Sequence, residues 1–321
     1  MKVLQICVFA ISLAGMVLPC QASEDPQWWL ERMGMAMSQM SYQGTFIYIS
    51  DGRMETMRIT HLIDEHGTRE RLSSLSGPRR EVVRDESGVK WTSGEANSVV
   101  ADPVVSWPMF LDQPIRGLAS NSEFYKLKLR ERQRIAELNS QRLDIIAMDS
   151  YRYGYSLWME AESGLLLKWQ LTDQNGEALA KLVFTDLKMG SEVDKSQFKH
   201  DELEQEQVPT GLPVGAAKSV SEKLQWQPGW LPGGFRITAN RAPTQQSDRR
   251  FQHVVYSDGI ASVSLYVEPV EKSAGVGLGL HRLGTSHVYG RKTDDVFVTV
   301  VGDVPAVTVE KIAKSVNLST P

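Results

Sequence analysis

Five arginines crowd one short stretch of this chain, Arg69, Arg71, Arg79, Arg80 and Arg84 in TRERLSSLSGPRREVVR, and only Glu70 and Glu81 offset them there. A guanidinium fork matches the oxygens of phosphate and carboxylate. The cluster is therefore a candidate site for an anionic ligand. The competing reading is a solvated, charged sheet face. Strand alternation puts Arg69 and Arg71 on one face and Arg80 and Arg84 on another. A second basic run, Lys126, Lys128, Arg130, Arg132 and Arg134, alternates along YKLKLRERQRI and predicts one continuous positive face.

Bond-making chemistry is harder to find. The chain has no G-x-S-x-G, no H-E-x-x-H and no phosphate loop of the G-x-x-x-x-G-K type. His61 and His66 stand close in sequence, but no Asp, Glu or Cys completes a metal set at ligand spacing. GVGLGL (275–280) lacks the spacing of a dinucleotide fingerprint and no helix follows it. It reads as a hairpin loop whose Val276, Leu278 and Leu280 could dock a partner. QWQPGWLPGGFRI (225–237) is rich in glycine, but Pro228 and Pro232 remove the amide donors that a phosphate would need. It reads as a stiff corner presenting Trp226, Trp230 and Phe235 to an apolar surface. The expectation is a binding protein, not an enzyme, with no cofactor and no metal.

The elements that position these groups are mostly strands. GTFIYIS, METMRITHLID, TRERLSSL, REVVRDE and VKWTS alternate between turn signals, as do five segments from FYKLKLRERQRIAEL to ALAKLVFTDLKMG. About ten strands over residues 44–189 must curl. In front stands one helix, with Asp25 as N-cap, Pro26 at its first position and Gly44 as its end. Its stripe of Trp29, Met33, Met37 and Met40 reads as a face laid on the sheet, or as an adaptable apolar surface. With Trp107 and Phe110 of the proline-rich loop 101–120, these residues would line an apolar trough. A lipid chain there gains ~0.8 kcal/mol per buried methylene. An acidic and then Pro/Gly-rich linker at 201–218 separates this first domain (23–200) from a smaller α+β domain (219–321) of about five strands and a closing helix started by Pro305.

Location follows from the other end. MKVLQICVFAISLAGMVLPCQA reads as a secretory signal peptide over residues 1–22, cleaved after Ala22. Both cysteines, Cys7 and Cys20, fall inside it, so the mature chain has no disulfide and no thiol chemistry. The formal net charge of −4 argues against general nucleic-acid binding.

Together YQGTFIY, MRITH, RERLSSLSGPRREVVR, YRYGYSLWMEAESGLLLKWQLTD and WQPGWLPGGF resemble the RseB/MucB family of periplasmic sigma-E regulators, and the resemblance runs along the mature chain. It implies an unclosed antiparallel β half-barrel of the LolA/LolB type with a covering helix, followed by a smaller C-terminal α+β domain. It implies binding to the periplasmic part of a membrane-spanning anti-sigma factor (RseA or MucA type), which is thereby shielded from a site-1 protease. Lipopolysaccharide or lipoprotein acyl chains are the implied releasing ligands. The alternative is a lipid or lipoprotein carrier using the same trough, for which residues 219–321 would be superfluous. Whether the chain forms a homodimer stays open at this point.

Overall fold

The computed structural model describes residues 25–65, 67–85, 88–93, 123–190, 193–194, 198, 226–241, 252–270, 277–293 and 296–318. The signal peptide, His66, Trp107, Phe110, the linker 201–218 and Val276 lie outside them.

Helix α1 (Pro26–Gln39) starts as its sequence dictates: Asp25 Oδ1 accepts the Gln27 N–H at 3.0 Å and Pro26 occupies the first turn. Trp29, Leu30, Met33, Ala36 and Met37 recur at helical spacing, and all are buried. The helix ends at Met40, whose N–H returns to Ala36 O. Gly44, expected to end it, lies inside the next strand. A Cβ there would stand 2.6 Å from Asp186 O and 2.8 Å from a Phe184 ring carbon. This glycine serves close strand approach rather than a helix cap.

Ten strands follow: β1 (Tyr42–Ser50), β2 (Arg53–Asp64), β3 (Gly67–Ser74), β4 (Arg80–Asp85), β5 (Gly88–Ser93), β6 (Tyr125–Ile135), β7 (Leu138–Ala147), β8 (Gly154–Glu160), β9 (Leu166–Thr172) and β10 (Ala178–Met189). They form one antiparallel sheet, ordered β5-β4-β3-β2-β1-β10-β9-β8-β7-β6. Each half is a meander, and β1 pairs with β10 to join the halves. The sheet curls far enough for β6 to touch β10, which lies four strands away in the order, yet β5 and β6 remain edges. It is an unclosed half-barrel. Register lines its inner face with Phe46, Ile59, Leu72, Leu143, Leu157 and Leu182, all buried, and α1 packs into that face.

The second sheet is built from β12 (Arg236–Arg241), β13 (Gln252–Ser257), β14 (Ser262–Pro269), β15 (Gly279–Leu283), β16 (Ser286–Lys292) and β17 (Val296–Gly302), ordered β12-β13-β14-β17-β16-β15. Helix α2 (Ala306–Ser315) covers it, and Val309, Ile312, Ala313 and the following Val316 supply the buried stripe that their spacing predicts. A short pair, β11 (Trp226–Pro228) with β18 (Val316–Leu318), ties the chain end to the corner that begins this unit.

Candidate functional site

Pairing of β3 with β4 sorts the arginine cluster by face. Arg80 and Arg84 share the inner face with Leu72 and Val82, while Arg69 and Arg71 point the other way. Most of these charges already have partners. Arg69 Nη2 lies 2.6 Å from Asp64 and its guanidinium 5.0 Å from the Phe198 ring. Arg71 pairs with Glu81, and Arg80 with Glu55 at 2.8 Å. Arg79 is 3.9 Å from Glu81 and more than half exposed. Arg84 stands opposite Glu70, which faces His61 on its other side. His61 Nδ1 is 3.3 Å from Glu70, and its ring stacks on Tyr42 at 5.0 Å. Burial first, and the Glu70 carboxylate second, push the Tyr42 phenol well above its ordinary range. An anion arriving here meets a network in which carboxylates already occupy several guanidinium forks.

The second basic run does not line one face. A bulge between Leu129 and Arg132 adds a residue to β6. Lys128 pairs opposite Asp144 on the outer face, whereas Arg132 and Arg134 register with Gln141 and Asn139 on the other side. Asp144 is the anchor of the outer patch: it accepts from Arg130 Nε at 2.6 Å, Arg142 Nε at 2.8 Å and Ser156 Oγ at 2.7 Å. Burial would raise its pKa, but the Ser156 hydroxyl and the two guanidiniums outweigh this and hold it below the ordinary value. Beside it, Trp158 is sandwiched between Arg142 at 4.9 Å and Lys168 at 4.0 Å.

The expected trough residues divide. Trp29, Met33 and Met37 are buried in the core under α1, and Met40 packs half-buried at its margin. At this point the helix itself occupies the inner face of the sheet. The hairpin loop behaves differently: Leu278 and Leu280 are 64% and 48% exposed, and neighbouring Leu283 56%. Among the described residues, no group of three or more His, Cys, Asp or Glu side chains could hold a metal ion.

The residues that sequence reasoning missed sit where the two sheets meet. Arg152 is fully buried and donates to Asp258 at 2.5 Å, to Gly233 O at 2.8 Å and to Asp149. Its guanidinium lies over Phe124, Tyr125 and Phe235 at 4.7, 5.3 and 5.4 Å. Asp258, equally buried, also accepts Tyr125 OH at 2.9 Å and the N–H groups of Ile260 and Ala261. Burial, then the Asp258 charge, keeps the Tyr125 phenol protonated, so it can act as that donor. Around this pair, Thr308 Oγ1 donates to Tyr151 O at 2.7 Å, Lys311 Nζ to Tyr151 OH at 3.0 Å, and Tyr153 OH lies 3.4 Å from His287 Nδ1. Trp230 meets Tyr151 edge-on at 4.8 Å. The corner anticipated between 225 and 237 is thus the seam of the molecule. The aromatic run in YRYGY was the available signal.

Known proteins are similar to this chain along most of its length. The MucB/RseB N-terminal domain family matches residues 25–202 and the MucB/RseB C-terminal domain family residues 220–317. The sigma factor AlgU regulatory protein MucB of Pseudomonas aeruginosa is 34% identical over 311 residues, 94% of each chain. The sigma-E factor regulatory protein RseB of Escherichia coli K12 is 27% identical over 293 residues, 90% of this chain and 89% of its own. A crystal structure of MucB in complex with MucA(peri) is similar with a TM-score of 0.69 at 30% identity, over 92% of this chain and 100% of that one. With both of its family domains matched in order, the chain belongs to the MucB/RseB family.

Proposed function

We propose that this protein is a periplasmic regulatory binding protein that holds the periplasmic part of a single-span anti-sigma factor of the MucA type and shields it from site-1 proteolysis. The observation that carries this reading is likeness along nearly the whole chain to MucB in its complex with MucA(peri). The leader at residues 1–22 supports export to the periplasm. The seam supports regulation over simple carriage: a carrier needs only the first sheet, and here the second is bound to it through the buried Arg152–Asp258 pair. The direct test mixes the purified chain from residue 23 onward with the periplasmic domain of the anti-sigma factor from the same genome. A stable complex that slows site-1 cleavage is expected. Absence of a complex would overturn the reading.

Release by anionic lipid is the second half of the proposal. A lipid can displace the partner only if it binds the partner-free state more tightly, and each tenfold preference shifts the balance by about 1.4 kcal/mol. Arg79, Arg80 and Arg84 are the assigned head-group contacts, with Arg79 the most exposed of the paired group. Replacing all three by Ala should weaken binding to vesicles containing anionic phospholipid and leave the circular dichroism spectrum unchanged. Equal vesicle binding by the triple variant removes the assignment.

A further inference from the structure

The outer face of the half-barrel between β6 and β10 carries more positive charge than its own residues neutralise. Register sets two rows across it, one of Arg142, Trp158 and Lys168, the other of Asp144, Ser156, Gln170 and Lys181. Lys126, Lys128 and Arg130 continue the face on β6. Of the carboxylates, Asp144 is buried and bound by Arg130 and Arg142, and Glu160 turns to the Glu162 and Ser163 amides at 3.0 and 2.6 Å. Glu131 is exposed at the bulge, and Asp186, farther along β10, shares its row with Arg58. Among the described residues, Lys126, Lys128, Lys168 and Lys181 form no ion pair.

These cations are also held in place. Arg142 and Lys168 lie against opposite faces of Trp158, whose Nε1–H donates to Gln133 Oε1 at 2.7 Å. Arg130 and Arg142 are fixed on Asp144. Burial, then the charges of Lys181 and Arg142, lower the pKa of Lys168, and no carboxylate acts on it in the opposite sense. Like charges are gathered here without the anion that would offset them.

The geometry limits what can cover this face. The strands are already paired on both sides, so no strand can be added to it. Trp158 is buried, so no apolar side chain rises between Arg142 and Lys168 to enter a bilayer. A second copy would bring the same cations against themselves. Cations pinned at set distances suit carboxylates that are themselves set on a protein segment. Arg142 and Lys168 are two strand spacings apart, about 10 Å, which is the rise between positions seven apart on one face of a helix. Past Lys181 on its own row, Ile49 and Met54 are 37% and 66% exposed and would take an apolar residue of the same segment.

We propose that the outer face around Arg142, Lys168 and Lys181 docks an acidic segment of the anti-sigma partner. This rests on the function proposed above, since it names a surface that holds the same partner.

The test uses the whole mature chain and the purified periplasmic domain of the anti-sigma factor. Lys168→Glu and Lys181→Glu should each lower affinity about tenfold, with the circular dichroism spectrum unchanged, and Lys168→Arg should bind within about twofold of wild type. Wild-type affinity should fall as salt rises, and less steeply in the two reversed variants. The Lys168 ammonium, followed by NMR, should titrate higher in the complex than in the free chain. If the wild-type chain binds but the double variant Lys168→Glu/Lys181→Glu binds within about twofold of it, the docking inference fails and the proposed function stands. Loss of binding to phosphatidylglycerol vesicles in the double variant, with partner affinity kept, would assign the face to a bilayer and overturn the inference. Self-association of the wild-type chain that the double variant loses, again with partner affinity kept, would assign it to a second copy and overturn it too. Failure of the wild-type chain to bind removes both readings.

Discussion

Replacing Arg152 by Met tests the seam most directly. Methionine keeps the packing against Phe124, Tyr125 and Phe235 but removes the charge from Asp258, which has no exposed surface. Asp258 would retain three donors, Tyr125 OH and the amides of Ile260 and Ala261, none of them charged. A buried charge stripped of its counter-ion costs about 3–5 kcal/mol. In a chain of this size that lowers the melting temperature on the order of 10 °C. Asp258→Asn should cost a similar amount, because the amide Oδ1 still closes the turn at 258–261 while its NH2 group faces the Arg152 donors. The double variant removes both charges together. It should therefore cost about 2 kcal/mol less than the two single costs added. Urea unfolding of the four proteins gives this cycle, and small-angle scattering reports whether the two sheets separate in the single variants. Single variants within about 0.5 kcal/mol of wild type, or strict additivity, would refute the argument that this pair joins the two units.

Gly233→Ala probes the same seam by volume. Its Cβ would stand 2.6 Å from Phe124 Cζ, in a ring that is held against Arg152, so it should cost about 1–3 kcal/mol by urea unfolding. An Asp144→Asn variant tests the outer patch through pH. The folded-state pKa of Asp144 is depressed, so its contribution is present above the unfolded value near 4 and lost as pH falls through the folded value. The variant should lose about 1 kcal/mol at pH 7, limited by solvent screening of Arg130 and Arg142, and its stability should fall less steeply than wild type below about pH 4. Parallel stability curves for the two proteins would count against the assigned role of Asp144.

Local order was readable wherever the cause was local. Asp25 and Pro26 announce the start of α1, the spacing of Trp29, Met33 and Met37 announces its buried stripe, and alternating strands between Gly-rich turns announce the curled sheet. Burial of Val309, Ile312 and Ala313 in α2 follows from the same reasoning. The errors share one cause. Gly44 looks like a helix stop because its actual neighbour, Asp186, is distant in sequence. The basic run looks one-faced because nothing in YKLKLRERQRI marks the bulge that shifts Arg132 and Arg134 to the opposite side of β6.

Composition and periodicity by themselves determined a β-rich chain whose two cysteines both fall within its first twenty residues, because helix caps, turns and strand alternation act over a few residues. Tertiary structure alone decided which charges are partnered and where the two sheets join. Asp258 reads in sequence as an ordinary turn residue of SDG, and it does close that turn. Its second role, as counter-ion to Arg152 more than a hundred positions earlier, exists only once both leave water together, and no local pattern encodes that meeting.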